Sequence, residues 1–258
     1  MLIETLSVFP ELFEPYMSTS IMGRARKAGL FEFAAHDLRD WTHDRHRTVD
    51  DEPYGGGAGM LMKVAPLHEA ITDLSSRGGT RPRVVFFTPC GERFTQETAE
   101  RLAACDRLLL VCGRYEGMDE RAYDLADERL CIGDYVLTGG ELPALVVADA
   151  VVRLIPGALG DEMSNVDESF ATGDAGGLLE YEQYTRPAEF EGRTVPDILL
   201  SGDHAKVDAW RRSNALERTC RWRPDLLATA GLTEAERERA AELVARFHTE
   251  GIGGPLHG

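Results

Sequence analysis

Two apolar runs constrain this chain more than any other feature. Arg83-Val-Val-Phe-Phe-Thr88 and Arg107-Leu-Leu-Leu-Val-Cys112 are strand-length segments without the polar alternation of a half-solvated strand. Between them, Thr95 to Cys105 has helical spacing behind a threonine able to cap it. Strands apolar on both faces must be covered on both, and a helical crossover between them sets them parallel. The flanking segments extend the pattern. Leu2 to Val8 is predicted as a strand ended by Phe9-Pro10, Ser20 to Ala28 as a helix stopped by Gly29, and Phe31 to Asp37 as an alternating strand. Val64 to Ser76 and the apolar Glu141 to Leu154 are predicted helices. The fold class is therefore α/β, with a mostly parallel sheet, and 258 residues suffice for one large domain or a larger and a smaller one.

After Pro156 the character changes. Residues 157 to 185 are rich in Gly, Asp, Glu and Ser and suit a mobile linker. Asp203 to Cys220 and Thr233 to Thr249 then read as helices, the second opened by the capping box Thr-Glu-Ala-Glu, giving a helical second domain. The formal net charge of −16 opposes general polyanion binding. Against that balance, Lys206, Arg211, Arg212, Arg218, Arg221 and Arg223 form a basic cluster, either a polyanion contact or a solvated helix face. Five cysteines (90, 105, 112, 131 and 220), with no Cys-x-x-Cys, favour free thiols in a reducing compartment over a disulfide framework or zinc site. The start Met1-Leu2-Ile3-Glu4 lacks the basic opening of a signal peptide, and no apolar run approaches membrane-spanning length. A soluble, cytoplasmic protein without a membrane partner is expected.

Gly55-Gly56-Gly57-Ala58-Gly59 invites a phosphate-loop reading, which fails. No Gly-Lys-Ser/Thr follows, and the Gly-x-Gly-x-x-Gly spacing is broken by Met60 or Met62. What remains is a backbone-exposing loop beside the basic HDRHR segment, able to contact a larger anion such as RNA. Three further loops follow buried segments: Thr88–Glu92, Cys112–Arg121 and Cys131–Pro143. Ligands of open α/β sheets bind outside the carboxyl ends of strands. Glycines in these loops allow close backbone approach, and Tyr135 and Leu137 add apolar walls suited to an adenine-containing ligand. Three ordinary turns is the alternative.

HDRHRTVDDEPYGGGAGMLM (residues 43 to 62), CGRYEGMDER and IGDYVLTGGELPA, with SVFPELF, RLIPGALG and LLSGDHAKVDAWR, resemble the bacterial tRNA (guanine-N1)-methyltransferases of the knotted SPOUT class. The likeness runs through nearly the whole chain, with its motifs in order. It implies an N-terminal domain (1–160) holding S-adenosylmethionine in a deep trefoil knot, a flexible linker (161–178) and a helical tRNA-binding domain (179–258). It also implies a homodimer in which the linker and C-terminal helices of one subunit complete the site of the other. The substrate implied is the guanosine at tRNA position 37 when another guanosine precedes it.

By position, the cofactor residues implied are Phe87, Thr88, Pro89 and Gly91; Gly113, Tyr115, Glu116 and Gly117; and Cys131, Ile132, Gly133, Asp134, Tyr135, Val136, Leu137, Gly139, Gly140 and Pro143. Arg24, His46, Asp50, Arg114 and Ser169 match RNA contacts, with Lys206 and Arg211 of the basic helix holding the tRNA arm through phosphates. Guanine N1 carries a proton at neutral pH, so its methylation requires a general base, and a guanidinium would stabilise charge pushed toward O6. Arg153 matches the family's arginine for that role; otherwise it is a cation at a helix C-terminus. The base departs from the family, whose Glu-Asp-Ser-Phe becomes Asp167-Glu168-Ser169-Phe170. Glu168 inherits the role by position, with Asp167 as the alternative if the linker shifts. The family also implies Mg2+, which no ligand spacing in the chain would have suggested. Rival readings are a knotted methyltransferase acting elsewhere on RNA and a non-catalytic RNA-binding protein.

Overall fold

A computed structural model describes residues 1–159, 168–171 and 176–251, in two compact units divided between Glu162 and Met163. The first unit is built on strands β1 (Leu2–Ser7), β2 (Glu32–Asp37), β3 (Asp50–Asp51), β4 (Leu61–Met62), β5 (Arg83–Arg93), β6 (Arg107–Val111) and β7 (Glu128–Cys131). Its α-helices are α1 (Glu14–Met17), α2 (Ser20–Lys27), α3 (Val64–Ser76), α4 (Gln96–Ala103) and α5 (Glu141–Val152). Five strands form one sheet in the order β2-β1-β6-β5-β7, every neighbour parallel, while β3 and β4 pair separately and antiparallel.

The strand pleat divides the apolar runs between two cores. Ile3, Val85, Phe87, Leu108 and Leu110 face one layer with α2, α4 and α5. Leu6, Val84, Phe86, Leu109 and Val111 face the other with α3 and the 3-10 turn Leu38–Trp41. Alternate residues thus serve opposite layers, which is why β6 reads as an unbroken apolar word. Each such Val, Leu or Phe contributes about 1.5–3 kcal/mol by burial. Thr95 caps α4 by accepting from the Thr98 amide.

A buried charge cluster closes the end of the sheet near the strand starts. Glu4, 4 % exposed, accepts from Arg107 Nε at 2.6 Å and meets His36 Nε2 at 2.9 Å. Arg107 also donates to the carbonyls of Leu74 and Thr80, so the C-terminal end of α3 is tied to β6.

The second unit contains the antiparallel pair β8 (Glu189–Phe190) and β9 (Arg193–Thr194), the short α6 (Asp197–Leu200), and α7 (His204–Trp222) and α8 (Glu234–Glu250). Asp203 caps α7 through the Lys206 amide, and the predicted capping box of Thr233 and Glu236 opens α8. Leu216, Cys220, Ala240, Leu243 and Phe247 form its core with Leu178 from the preceding segment.

Candidate active site

The cleft begins where β5 leaves its ladder. Phe87 pairs with Leu130, but the next registered pair is Glu92 with the same Leu130, so Thr88 to Gly91 bulge out. Pro89, which lacks a ladder donor, sits in the bulge. The return to β7 requires Gly91: a Cβ there would lie 2.6 Å from the Arg129 carbonyl carbon and the Leu130 amide.

After β6 the chain turns through Gly113 to Gly117. Tyr115 adopts φ +60, a left-handed backbone unfavourable for a tyrosine, and is held by its neighbours. The Glu116 amide donates to the Met60 carbonyl at 3.0 Å, the Met62 amide to the Gly117 carbonyl at 2.9 Å, and the Asp119 amide to the Met62 carbonyl at 3.0 Å. The end of the glycine-rich stretch is therefore docked against this loop. A Cβ on Gly59 would fall 2.7 Å from Glu116 Oε1, so the glycine admits the glutamate side chain.

The third loop follows β7. Cys131 Sγ donates to the Gly133 carbonyl at 3.2 Å and the Tyr135 amide to the same oxygen at 3.0 Å. Gly140 stacks on the second loop: its amide donates to the Gly113 carbonyl at 2.8 Å, and a Cβ would meet Cys112 Cα at 2.8 Å. Arg114 and Gly139 form an antiparallel bridge.

The three loops enclose a cleft of about 280 Å³. Of the sequence-predicted cofactor residues, Phe87, Thr88, Pro89, Gly113, Tyr115, Glu116, Gly117, Cys131, Ile132, Gly133, Tyr135, Val136, Leu137, Gly139, Gly140 and Pro143 line it. Gly91 packs behind it, and Asp134 pairs with Arg93 at 2.6 Å. Arg114, Met118, Tyr123, Leu130 and Thr138 also line it. Met118 had a signal in its place in the CGRYEGMDER motif, whereas Tyr123 comes from a 3-10 turn with no periodicity to mark it.

Neutral groups predominate on the cleft's walls. Burial, followed by the Asp50 carboxylate, raises the Tyr115 phenol above its ordinary range. Burial does the same for Tyr123. Beneath the cleft, complete burial and then the nearby Glu141 carboxylate push the Cys112 thiol well up, so it is no thiolate nucleophile. Arg114 turns toward Glu141, with Nε 3.1 Å from Oε2, and its guanidinium lies 4.5 Å from the centre of the Phe9 ring.

A second, open groove of about 770 Å³ shares Ile132, Tyr135 and Leu137 with the cleft. Arg153, the C-terminal cap of α5, lines it with Leu142, Val146 and Asp149, and Tyr16 donates to Asp149 Oδ1 at 2.7 Å. That bond raises the Tyr16 phenol to about 12. Arg24 is exposed on α2, His46 is exposed in the loop between the Leu38–Trp41 turn and β3, and Asp50 begins β3.

In the second unit, Ser169 Oγ accepts from the Glu180 amide at 2.8 Å, and Phe170 at φ +68 donates its amide to the Leu178 carbonyl. Glu168 begins this turn, its carbonyl accepting from the Ala171 amide. Asp167 lies outside the described residues, as do Gly173 to Ala175 of the expected linker. The basic cluster of α7 is substantially paired within the unit. Lys206 meets Asp203 at 2.9 Å, Arg211 meets Asp208 at 3.4 Å and stacks on Tyr181, and Arg212 meets Glu236 at 2.7 Å.

The family described as tRNA (Guanine-1)-methyltransferase TrmD matches residues 1–229. The chain belongs to this family. A tRNA (guanine-N(1)-)-methyltransferase of Bacillus subtilis (strain 168) is 48 % identical over 243 residues, covering 94 % of this chain and 98 % of the relative. One from Halorhodospira halophila is 50 % identical over 256 residues, 99 % of this chain and 96 % of its own. One from Halalkalibacterium halodurans is 50 % identical over 240 residues, 92 % and 96 %. The tRNA (guanine-1)-methyltransferases are enzymes, and methyltransferases in general take the methyl group from S-adenosylmethionine. The glycine-walled cleft is the feature of the first unit that fits such a ligand: Gly139 and Gly140 occupy positions where side chains would collide with the loops on the far wall.

Proposed function

We propose that this chain transfers a methyl group to N1 of the guanosine at tRNA position 37 when guanosine precedes it, with S-adenosylmethionine held in the cleft between the loops after β5, β6 and β7. The observation that carries this reading is the convergence of those glycine-walled loops in a chain of this family. Backbone groups of Ile132 to Gly140 would hold the adenine and ribose, with Tyr135 and Leu137 as apolar walls. Bound there, S-adenosylmethionine would supply an electrophilic methyl group.

The chain's own residues prepare the nucleophile. The Glu168 carboxylate takes the N1 proton, freeing the nitrogen lone pair, and Arg153 stabilises the negative charge pushed onto O6. Asp167 is the alternative base, its carboxylate one methylene shorter. Arg24, His46, Asp50, Arg114 and Ser169 contact the RNA around the extracted base, and extraction itself costs a few kcal/mol. Lys206 and Arg211 reach phosphates by exchanging their present acidic partners for them. Among the described residues no group of three or more His, Cys, Asp or Glu is arranged to hold a metal ion. Mg2+ is usually held by only one or two carboxylates together with substrate oxygens, and no step is routed through it here.

The proposed active form is a homodimer. The exposed stripe of Leu142 and Val146 along α5, with Val136 93 % exposed nearby, is apolar surface that a second copy would cover. Such a copy would bring its linker to Arg153 and the adjoining cleft. Placement of β6 between β1 and β5, with Gly140 stacked on Cys112 and Gly113, supports the family's knotted threading in this chain. No helix among the described residues is long and apolar enough to cross a membrane, and a tRNA substrate argues for the cytoplasm.

The test is methyl transfer to two tRNA transcripts differing only at nucleotide 36, guanosine or adenosine. Wild type should methylate only the guanosine transcript, Glu168→Gln should lose at least about a hundredfold in rate, and Asp167→Asn should retain it. A dead Asp167→Asn beside an active Glu168→Gln would move the base by one residue. Cofactor binding without transfer to either transcript would sink the enzymatic reading.

A further inference from the structure

We infer that Glu141 is a positioning residue for methyl-donor binding, acting through Arg114 to hold two walls of the cleft in register. The inference rests on the proposed assignment of the cleft to S-adenosylmethionine. Glu141 is the first residue of α5 and only 3 % exposed, and it does not line the cleft. Its carboxylate accepts from Ser7 Oγ at 2.7 Å through Oε1 and from Arg114 Nε at 3.2 and 3.1 Å through Oε1 and Oε2. Ser7 ends β1, Arg114 belongs to the loop after β6, and Glu141 ends the loop after β7. One buried carboxylate thus joins three segments of chain at the base of the cleft.

Two features make this junction more than a stabilising ion pair. First, Arg114 itself lines the cleft, and its backbone bridges Gly139 on the opposing loop. Second, the pair runs over Gly139: a Cβ there would lie 2.5 Å from both Arg114 Nε and Glu141 Oε2. The loop backbone therefore leaves room for this side-chain pair. The Phe9 ring, 4.5 Å from the guanidinium, restricts Arg114 from another side. With its negative partner removed, the Arg114 side chain has no anchor at Glu141 and the loops lose their common reference. Removal of the arginine leaves a buried carboxylate with Ser7 alone, a costly arrangement that displaces the start of α5.

The test uses the full chain and S-adenosylmethionine itself, with calorimetric binding in the absence of tRNA. Glu141→Gln preserves shape and the Ser7 acceptor while discarding the charge. It should raise the dissociation constant about tenfold or more, at temperatures well below the melting point where the variant is folded. Arg114→Met, a change at a partly exposed position, should do likewise, and the double variant should bind no worse than the weaker single variant. In steady state, the methyl-donor KM should rise more than kcat falls. A purely structural role would lower the melting temperature and leave the dissociation constant unchanged, which overturns the inference. So would losses that multiply in the double variant, since the two residues would then act independently. Failure of wild type to bind S-adenosylmethionine would instead remove the underlying assignment of the cleft.

Discussion

Gly59 and Gly29 both require a left-handed backbone, at φ +81 and +73, yet differ in what surrounds them. A Cβ at Gly29 meets nothing within 4 Å, whereas one at Gly59 intrudes on the Glu116 side chain. Each alanine variant should lose about 1 kcal/mol of stability from the backbone alone. Only Gly59→Ala should also lose methyl transfer, because only it displaces Glu116 from the cleft wall; equal melting shifts with unequal rates would be the signature. Equal rates would mean that the glycine stretch has no part in the site. From the letters, the glycine run could be separated from a phosphate loop but not matched to its partner. Glu116 lies far along the chain, and only folding brings the two together. Glu141 was hidden for another reason: a glutamate after two glycines reads as an ordinary first-turn acid at a helix N-terminus, and its partners, Ser7 at the end of β1 and Arg114 in the loop after β6, lie far away in the chain.

Among the elements, α8 carries the most explicit start signal. Its N-terminal carboxylate, Glu236, is held down to about 2 from 4.5, first by Arg212 and then by the Thr233 cap. A carboxyl depressed in the folded state adds stability above its unfolded value and loses it as pH falls toward its folded one. The contribution is therefore complete above pH 4.5 and fades between 4.5 and about 2. Thermal melts of wild type and Arg212→Met should differ above that window and converge within it; a constant difference would deny the linkage. Thr233→Ala should cost about 1 kcal/mol at neutral pH. The capping box, the α3 bounds and the buried β5 and β6 runs were legible because caps and apolar periods are local. A buried segment ahead of the Cys131 loop was expected, but the bounds of β7 were not legible: Glu128-Arg129-Leu130-Cys131 has one fully buried side chain, and its pairing with β5 decides its conformation. Nor did the letters reveal that β5 resumes after its bulge, since Thr88-Pro-Cys-Gly reads as the end of a strand. The basic face of α7 was visible, but its pairing with Asp203, Asp208 and Glu236 is partly a matter of tertiary placement.

On the scale of the whole molecule, the strongest signal was the alternation of buried strands and helices, which specified a parallel α/β sheet but not the order of its strands. Resemblance, rather than periodicity, carried the expectation of a second copy. In the proposed homodimer, an aspartate at Val146 on the exposed stripe of α5 should leave a particle with the mass of one chain where wild type has the mass of two, measured by light scattering. Methyl transfer should fall with it by at least about tenfold, because a charge buried without a partner opposes association. A Val146→Asp protein that remains dimeric would exclude this face.

The strand order has a consequence for how the molecule is made. β1 pairs with β2 by residue 37, but its other edge stays open until residue 111 has been synthesised. β5 emerges in that interval with neither of its sheet neighbours available, since β6 and β7 both follow it. A growing polypeptide on the ribosome therefore carries unpaired apolar strand edges for most of the synthesis of its first half, the condition under which neighbouring nascent chains stick together. The burden of this topology falls on translation and its chaperones, and ends when the last wall of the cleft arrives.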